Sequence, residues 1–171
     1  LMFYVGRDVT AEIAARDEIE RRSRTDALTD LYNRRHVVEA LMAELERSRR
    51  DGRVPGVLMV DLDHFKAVND HYRHEAGDAV LRTVARRLRS AVRAYDVVGR
   101  WGGEEFIVVV PGITSTKALR RIGEAVRRAI GETPIPLPDG RLIHVTGSVG
   151  CALAGDALWS VPWEMVALTG F

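Results

Sequence analysis

Hydrophobic positions change their spacing several times along the chain, and each change marks an element. Residues 1–10, LMFYVGRDVT, read as a short strand. A strongly charged helical stretch follows, in which Ile13 and Ile19 give only a thin apolar stripe. Such a stripe is too narrow to dock on a core, so residues 1–24 are expected to be a connector or half of a coiled coil. The compact domain is expected to begin near Thr25 and Asp26. From Leu28 to Leu45 the apolar residues Leu31, Val38, Leu41, Met42 and Leu45 keep helical spacing. SRRDGRVPG breaks that helix. Val57 to Val60 form an unbroken apolar run that ends in carboxylates, as a central buried strand does. Ala79 to Val92 repeats at helical spacing through Leu81, Val84, Ala85 and Leu88. Asp96–Arg100 and Phe106–Val110 read as strands around a glycine turn, hence a hairpin. Leu119, Ile122, Val126 and Ile130 mark another helix, and the DG at 139–140 precedes one or two last strands in RLIHVTGSVGCALA. Helices mixed with strands that include a hairpin predict an α+β fold, a mostly antiparallel sheet with helices packed on it.

Composition narrows the picture slightly. The formal net charge of the 171-residue chain is +1, so no overall field draws it to nucleic acid or acidic membranes. The arginine clusters at 47–50 and 82–93 read as wet helix faces. One cysteine, Cys151, excludes an internal disulfide and is expected to be a small buried residue. No apolar run is long enough to cross a membrane, and no signal peptide is visible, so a cytoplasmic protein is expected.

The chemistry concentrates in three stretches. DLDHFKAVND places Asp61 and Asp63 at the end of the buried strand. RWGGEEF places Glu104 and Glu105 side by side at a hairpin tip. If the two strands are neighbours, the acids converge, and hard divalent cations favour such oxygen donors together with substrate phosphates. Gly102 and Gly103 would let a ligand approach the backbone. An ordinary hairpin with exposed acids is the plain alternative. Lys66 offers a cation to phosphate, while Asn69 and Asp78 carry groups that can pair with a guanine edge. Taken singly these are turn or cap residues, and Asp78 could N-cap a helix starting at Ala79.

In this order and spacing, DLDHFKAVND, HEAGDAVL and RWGGEEF resemble the blocks of GGDEF-domain diguanylate cyclases, in the GGEEF form. TDALTDLYNRR at 25–35 resembles the segment that opens such domains, and VTGSVGCALA at 145–154 their late strand pair. The resemblance implies a fold related to nucleotide-cyclase and polymerase palm domains. It implies condensation of two GTP into cyclic di-GMP with release of two pyrophosphates, across a homodimer. By match to the motif, Asp61, Glu104 and the backbone carbonyl of Leu62 would hold two Mg²⁺ or Mn²⁺ ions. Glu105 would stand beside the attacking hydroxyl. Phe65 and Lys66 would cradle phosphates, Asn69 and Asp78 would recognise guanine, and His74 lies in the same block. Arg93-Ala94-Tyr95-Asp96 matches the family's RxxD site for inhibitory product, the alternative being an ion pair at a helix end. Residues 1–24 resemble the end of a PAS-type sensor with a signalling helix, which implies an upstream sensory domain.

The chain departs from the family pattern at two positions where glycine is usual, Asp30 and Arg73. Residues 25–171 are expected to form the catalytic domain without its usual final helix, whose Lys and Arg help to hold the triphosphate. A noncatalytic module that binds GTP or cyclic di-GMP, and a purely structural dimerisation unit, are the competing functions.

Overall fold

A computed structural model describes residues 24–154. The expected strand and helix of residues 1–23, the sensor resemblance and the question of a final helix lie outside the described residues. A short β1 (Tyr32–Asn33) leads into α1 (Arg34–Asp51), and β2 spans Val54–Leu62. Then follow α2 (Phe65–Ala91), the hairpin β3 (Val97–Gly102) and β4 (Glu105–Ile113), and α3 (Thr116–Gly131). β5 (Ile135–Pro136), β6 (Leu142–Ile143) and β7 (Gly147–Leu153) complete the described part. The main sheet has the order β1-β3-β4-β2-β7, with β5 and β6 forming a separate ribbon. β1 runs parallel to β3, and the other pairings are antiparallel. This is the expected α+β architecture.

The unbroken apolar run of β2 follows from burial on both faces. Leu58, Val60 and Leu62, with Phe106, Val108 and Val110 of β4, join Val80, Val84 and Leu88 of α2 and Leu119, Val126 and Ile130 of α3. Val57, Ile107 and Val109 point to the other face, where Val37 and Leu41 of α1 cover them. Pro55, which cannot donate to a ladder, sits where the β2–β4 register slips. Cys151 is buried, as expected, and burial raises its thiol pKa.

Three boundaries differ from the pattern reading. α1 starts at Arg34 rather than near Leu28, because Asn33 caps it by accepting the His36 amide at 3.0 Å. Leu31 is buried outside that helix, in a turn closed by the Thr25–Tyr32 bridge. α1 then runs through Ser48–Asp51 and ends where Gly52 turns left-handed at φ 65°. α2 begins at Phe65, well before Ala79, and consists of two helical pieces joined at Arg73, whose backbone is non-helical at φ 70° and ψ 170°. Asp78 is therefore inside a helix and caps nothing; its carboxylate lies 3.6 Å from Arg82, one turn on.

Candidate active site

Convergence of the acids requires β2 and β4 to be neighbours in the sheet. They are, and Asp61 stands directly opposite Glu105 in the ladder. Glu104 occupies the turn just before β4, after Gly103 at φ 43°. A register slip between Arg100 and Gly102 bends β3 as it enters that turn. The acids thus crowd together at one end of the sheet. Burial raises the Asp61 carboxyl pKa, and the charges of Glu104, Glu105 and Asp63 push it further in the same direction. Among the described residues, no three side chains of the metal-binding types meet in ligand geometry. The set on offer is instead a pair of carboxylates beside the exposed end of β2, where the Leu62 carbonyl lies. That donor set fits a magnesium-like ion, which takes one or two carboxylates and fills its other positions with phosphate and water.

Asp63 separates from the constellation. Its carboxylate accepts from Thr146 Oγ1 at 2.6 Å and Ser148 Oγ at 2.8 Å, and its amide donates to the Thr146 carbonyl at 3.0 Å. It fastens the end of β2 to β7 and leaves Asp61 to face the hairpin.

A cavity of about 460 Å³ opens beside the acids, lined by Phe65, Lys66, Asn69, His74 and Asp78 of α2 and by Gly103 and Glu104 of the turn. The break at Arg73 lets both pieces of α2 contribute to it. Sequence reasoning missed Gly77, Leu81 and Arg100, which also line it. A Cβ at Gly77 would overlap the Asn69 amide oxygen and stand 3.2 Å from the Phe65 ring, so the glycine makes room for Asn69. Arg100 donates to the Gly103 carbonyl, a contact no local sequence signal announces.

At RAYD the alternative reading, an ion pair between Arg93 and Asp96 side chains, is not what the structure shows. The Arg93 backbone amide, not its guanidinium, donates to Asp96 Oδ2 at 2.8 Å. The Arg93 side chain reaches the Tyr95 hydroxyl instead. Asp96 is 2% exposed. Its Oδ1 is buried and has no hydrogen-bond partner in the structure. The reason is the turn after α2, in which the Asp96 amide also donates to the Arg93 carbonyl at 3.1 Å and its carboxylate is taken up by the Arg93 amide.

Comparison with known proteins decides the family. The family model described as "Diguanylate cyclase, GGDEF domain" matches residues 23–158. The chain belongs to the GGDEF domain family. The response regulator PleD of Caulobacter vibrioides is 42% identical over 134 residues, which is 77% of this chain and 29% of that protein. The chain thus spans under a third of the length of that curated relative. Among solved structures, the diguanylate cyclase SiaD from Pseudomonas aeruginosa, in complex with its activator SiaC, superposes with a TM-score of 0.74 at 36% identity, covering 85% of this chain and 59% of that one. The coiled coil and GGDEF domain of DgcB from Caulobacter crescentus, in complex with c-di-GMP, gives 0.77 at 26% identity, covering 86% and 80%. In this GGDEF domain the two glycines and two glutamates of the motif are the hairpin tip. No helix among the described residues is long and apolar enough to cross a membrane.

Proposed function

We propose that this GGDEF domain is a diguanylate cyclase that condenses two GTP into cyclic di-GMP. The observation that carries the reading is the shared location of two halves of a site. The cavity gathers cationic, amide and carboxylate groups suited to a guanine nucleotide, and it includes Glu104, which adjoins the Asp61–Glu105 pair of the ladder. Asn69 and Asp78 hold the guanine edge, the carboxylate accepting from ring N–H and amino donors. Lys66 and the backbone at Phe65 meet phosphate oxygens, and His74 stands at the base end. Asp61, Glu104 and the Leu62 carbonyl would hold Mg²⁺ or Mn²⁺, two ions per site. A divalent ion held there would lower the pKa of a 3′-hydroxyl and offset charge on the leaving pyrophosphate. Glu105 takes up the hydroxyl proton. Each of two steps forms a 3′-oxygen-to-α-phosphorus bond and breaks the bond to pyrophosphate. The described residues supply one such cavity beside the acids, and the second GTP would come from a facing copy in a homodimer. An upstream sensory domain, read from residues 1–24, belongs to the same proposal.

A second reading concerns control. Asp96 Oδ1, buried without a donor, and the exposed Arg93 and Tyr95 form a place where cyclic di-GMP would bind as feedback inhibitor. A guanine amino or N–H group would relieve the unmet acceptor.

Incubation with GTP and Mg²⁺ and separation of the nucleotides tests the activity directly. Wild type should form cyclic di-GMP, and Glu104→Ala should form none detectable while keeping its circular dichroism. A mutant that retained near wild-type turnover would sink the role of Glu104. Nucleotide binding without turnover by wild type would favour the noncatalytic module.

A further inference from the structure

The strand that leads into the glycine turn carries a guanidinium with no part in the scheme above. Arg100 aims two N–H groups at one acceptor: Nε and Nη2 donate to the Gly103 carbonyl at 3.0 and 2.7 Å. Its Nη1 reaches back to Asp26, at 3.2 Å from Oδ1 and 3.4 Å from Oδ2. The pair is largely withdrawn from water, with side chains 17% and 25% exposed. Asp26 is itself immobilised. It accepts from the Thr29 amide at 2.9 Å and hydroxyl at 2.7 Å, and its backbone bonds Asp30 and Leu31. Burial alone would raise its carboxyl pKa; the hydrogen bonds from Thr29 and Arg100 outweigh it and hold the group ionised. The tip that Arg100 grips needs such a brace. Gly102 and Gly103 have no Cβ to limit their backbone, and Gly103 is left-handed. The next residue is Glu104.

We propose that Arg100 is a positioning residue: its fork on the Gly103 carbonyl, braced by Asp26, sets where Glu104 stands relative to Asp61. The proposal rests on reading Asp61 and Glu104 as cation ligands. Lysine cannot replace the fork, because one ammonium does not reproduce the planar donor set that spans the carbonyl and the carboxylate. Asp26 lies in the turn before β1, so a rearrangement of that turn reaches the acids through two hydrogen-bonded links.

The test is Mn²⁺ titration of the 171-residue chain with a nonhydrolysable GTP analogue. Free Mn²⁺ is followed by electron paramagnetic resonance, and folding by circular dichroism melting. Arg100→Ala should raise half-saturating Mn²⁺ roughly tenfold or more, the loss expected when a group that orients a ligand is removed. Arg100→Lys and Asp26→Asn should raise it less. Adding Asp26→Asn to Arg100→Ala should change nothing further, and analogue affinity at saturating Mn²⁺ should stay at the wild-type value. Arg100→Ala and Asp26→Asn titrating like wild type would overturn the positioning. So would a defect confined to analogue affinity, which would mean that Arg100 touches the nucleotide itself. If Arg100→Ala fails to fold, Asp26→Asn and Arg100→Lys decide on the same readout. A wild type that binds Mn²⁺ no better than Glu104→Ala would instead overturn the cation reading of the acids.

Discussion

At the scale of single residues, both departures from the family's glycines fall on left-handed backbone. Asp30 has φ 59° and Arg73 φ 70°. Aspartate is among the residue types that tolerate such a position, because a short polar side chain can bond the local backbone. Arg73 has no such excuse: with ψ at 170° it occupies a region that is essentially reserved for glycine. Arg73→Gly should therefore stabilise the domain by about 1 kcal/mol, the strain relief exceeding the greater unfolded-state freedom of glycine. Urea unfolding would show it as a higher midpoint with unchanged slope, and a lower midpoint would mean that the arginine side chain holds the break. Charge makes the opposite kind of strain at Asp61. Burial, then Glu104, Glu105 and Asp63, hold its folded pKa above the ordinary carboxylate value. A raised carboxyl pKa means that the folded state binds the proton more tightly. Stability therefore falls as pH climbs through the ordinary value to the raised one, and it stays lower at pH 7. Removing a neighbouring charge relieves this. In metal-free buffer at pH 7, Glu104→Ala should melt at or above the wild-type temperature. With Mn²⁺ added, wild type should gain and the mutant should not. A mutant that melts lower without metal, beside a wild type that Mn²⁺ does not move, would contradict both halves.

At the scale of elements, the central pieces were legible because their pattern and their burial agree. β2, the hairpin and α3 fall where apolar spacing places them. The hairpin's partner strand and the convergence of Asp61 with Glu105 needed only adjacency, which the sheet provides. The first half of α2 was not legible. HFKAVNDHYRHE is too polar to show a stripe, since its exposed face is a cavity wall rather than a core face. The Arg100–Asp26 link was equally hidden, because 74 positions separate its ends and neither residue type marks the other. Ribbon strand β5 passed unseen because two residues carry no period. The closeness of the two pieces of α2 yields its own prediction. Gly77→Ala should favour the helix by up to about 1 kcal/mol on propensity. Its methyl group nevertheless overlaps the Asn69 amide and crowds Phe65. If Asn69 reads the base as proposed, displacing it should weaken GTP about tenfold, close to 1.4 kcal/mol, within the range for a buried group left unpaired. Fluorescence titration with a labelled GTP would measure it, with labelled ATP as control. Unchanged GTP affinity would mean that Asn69 does not read the base.

At the scale of the molecule, the arithmetic of the product sets the last prediction. A cyclic dinucleotide closes through two bonds, each joining the 3′-oxygen of one nucleotide to the α-phosphorus of the other. Among the described residues one acid cluster lies beside a cavity of about 460 Å³, and β4 is interior to the sheet. The open side is the glycine tip, where Gly102, Gly103 and Glu105 are exposed. On the proposed function, a facing copy that brings its own tip and nucleotide there would supply the missing half. Encounter of two loaded chains then enters the rate law, and specific activity should rise in proportion to protein concentration while the copies are mostly apart. It should level off once they are paired. Doubling a dilute sample should thus roughly quadruple the initial rate of product formation. Sedimentation at matched concentrations should place the break at the monomer–dimer midpoint. A mixture of Asp61→Ala and Asp78→Ala chains separates the roles further, since neither parent holds an intact site and pairing restores none. It should stay inactive at every ratio. Specific activity that is flat through the monomer range would show that one chain closes the ring unaided.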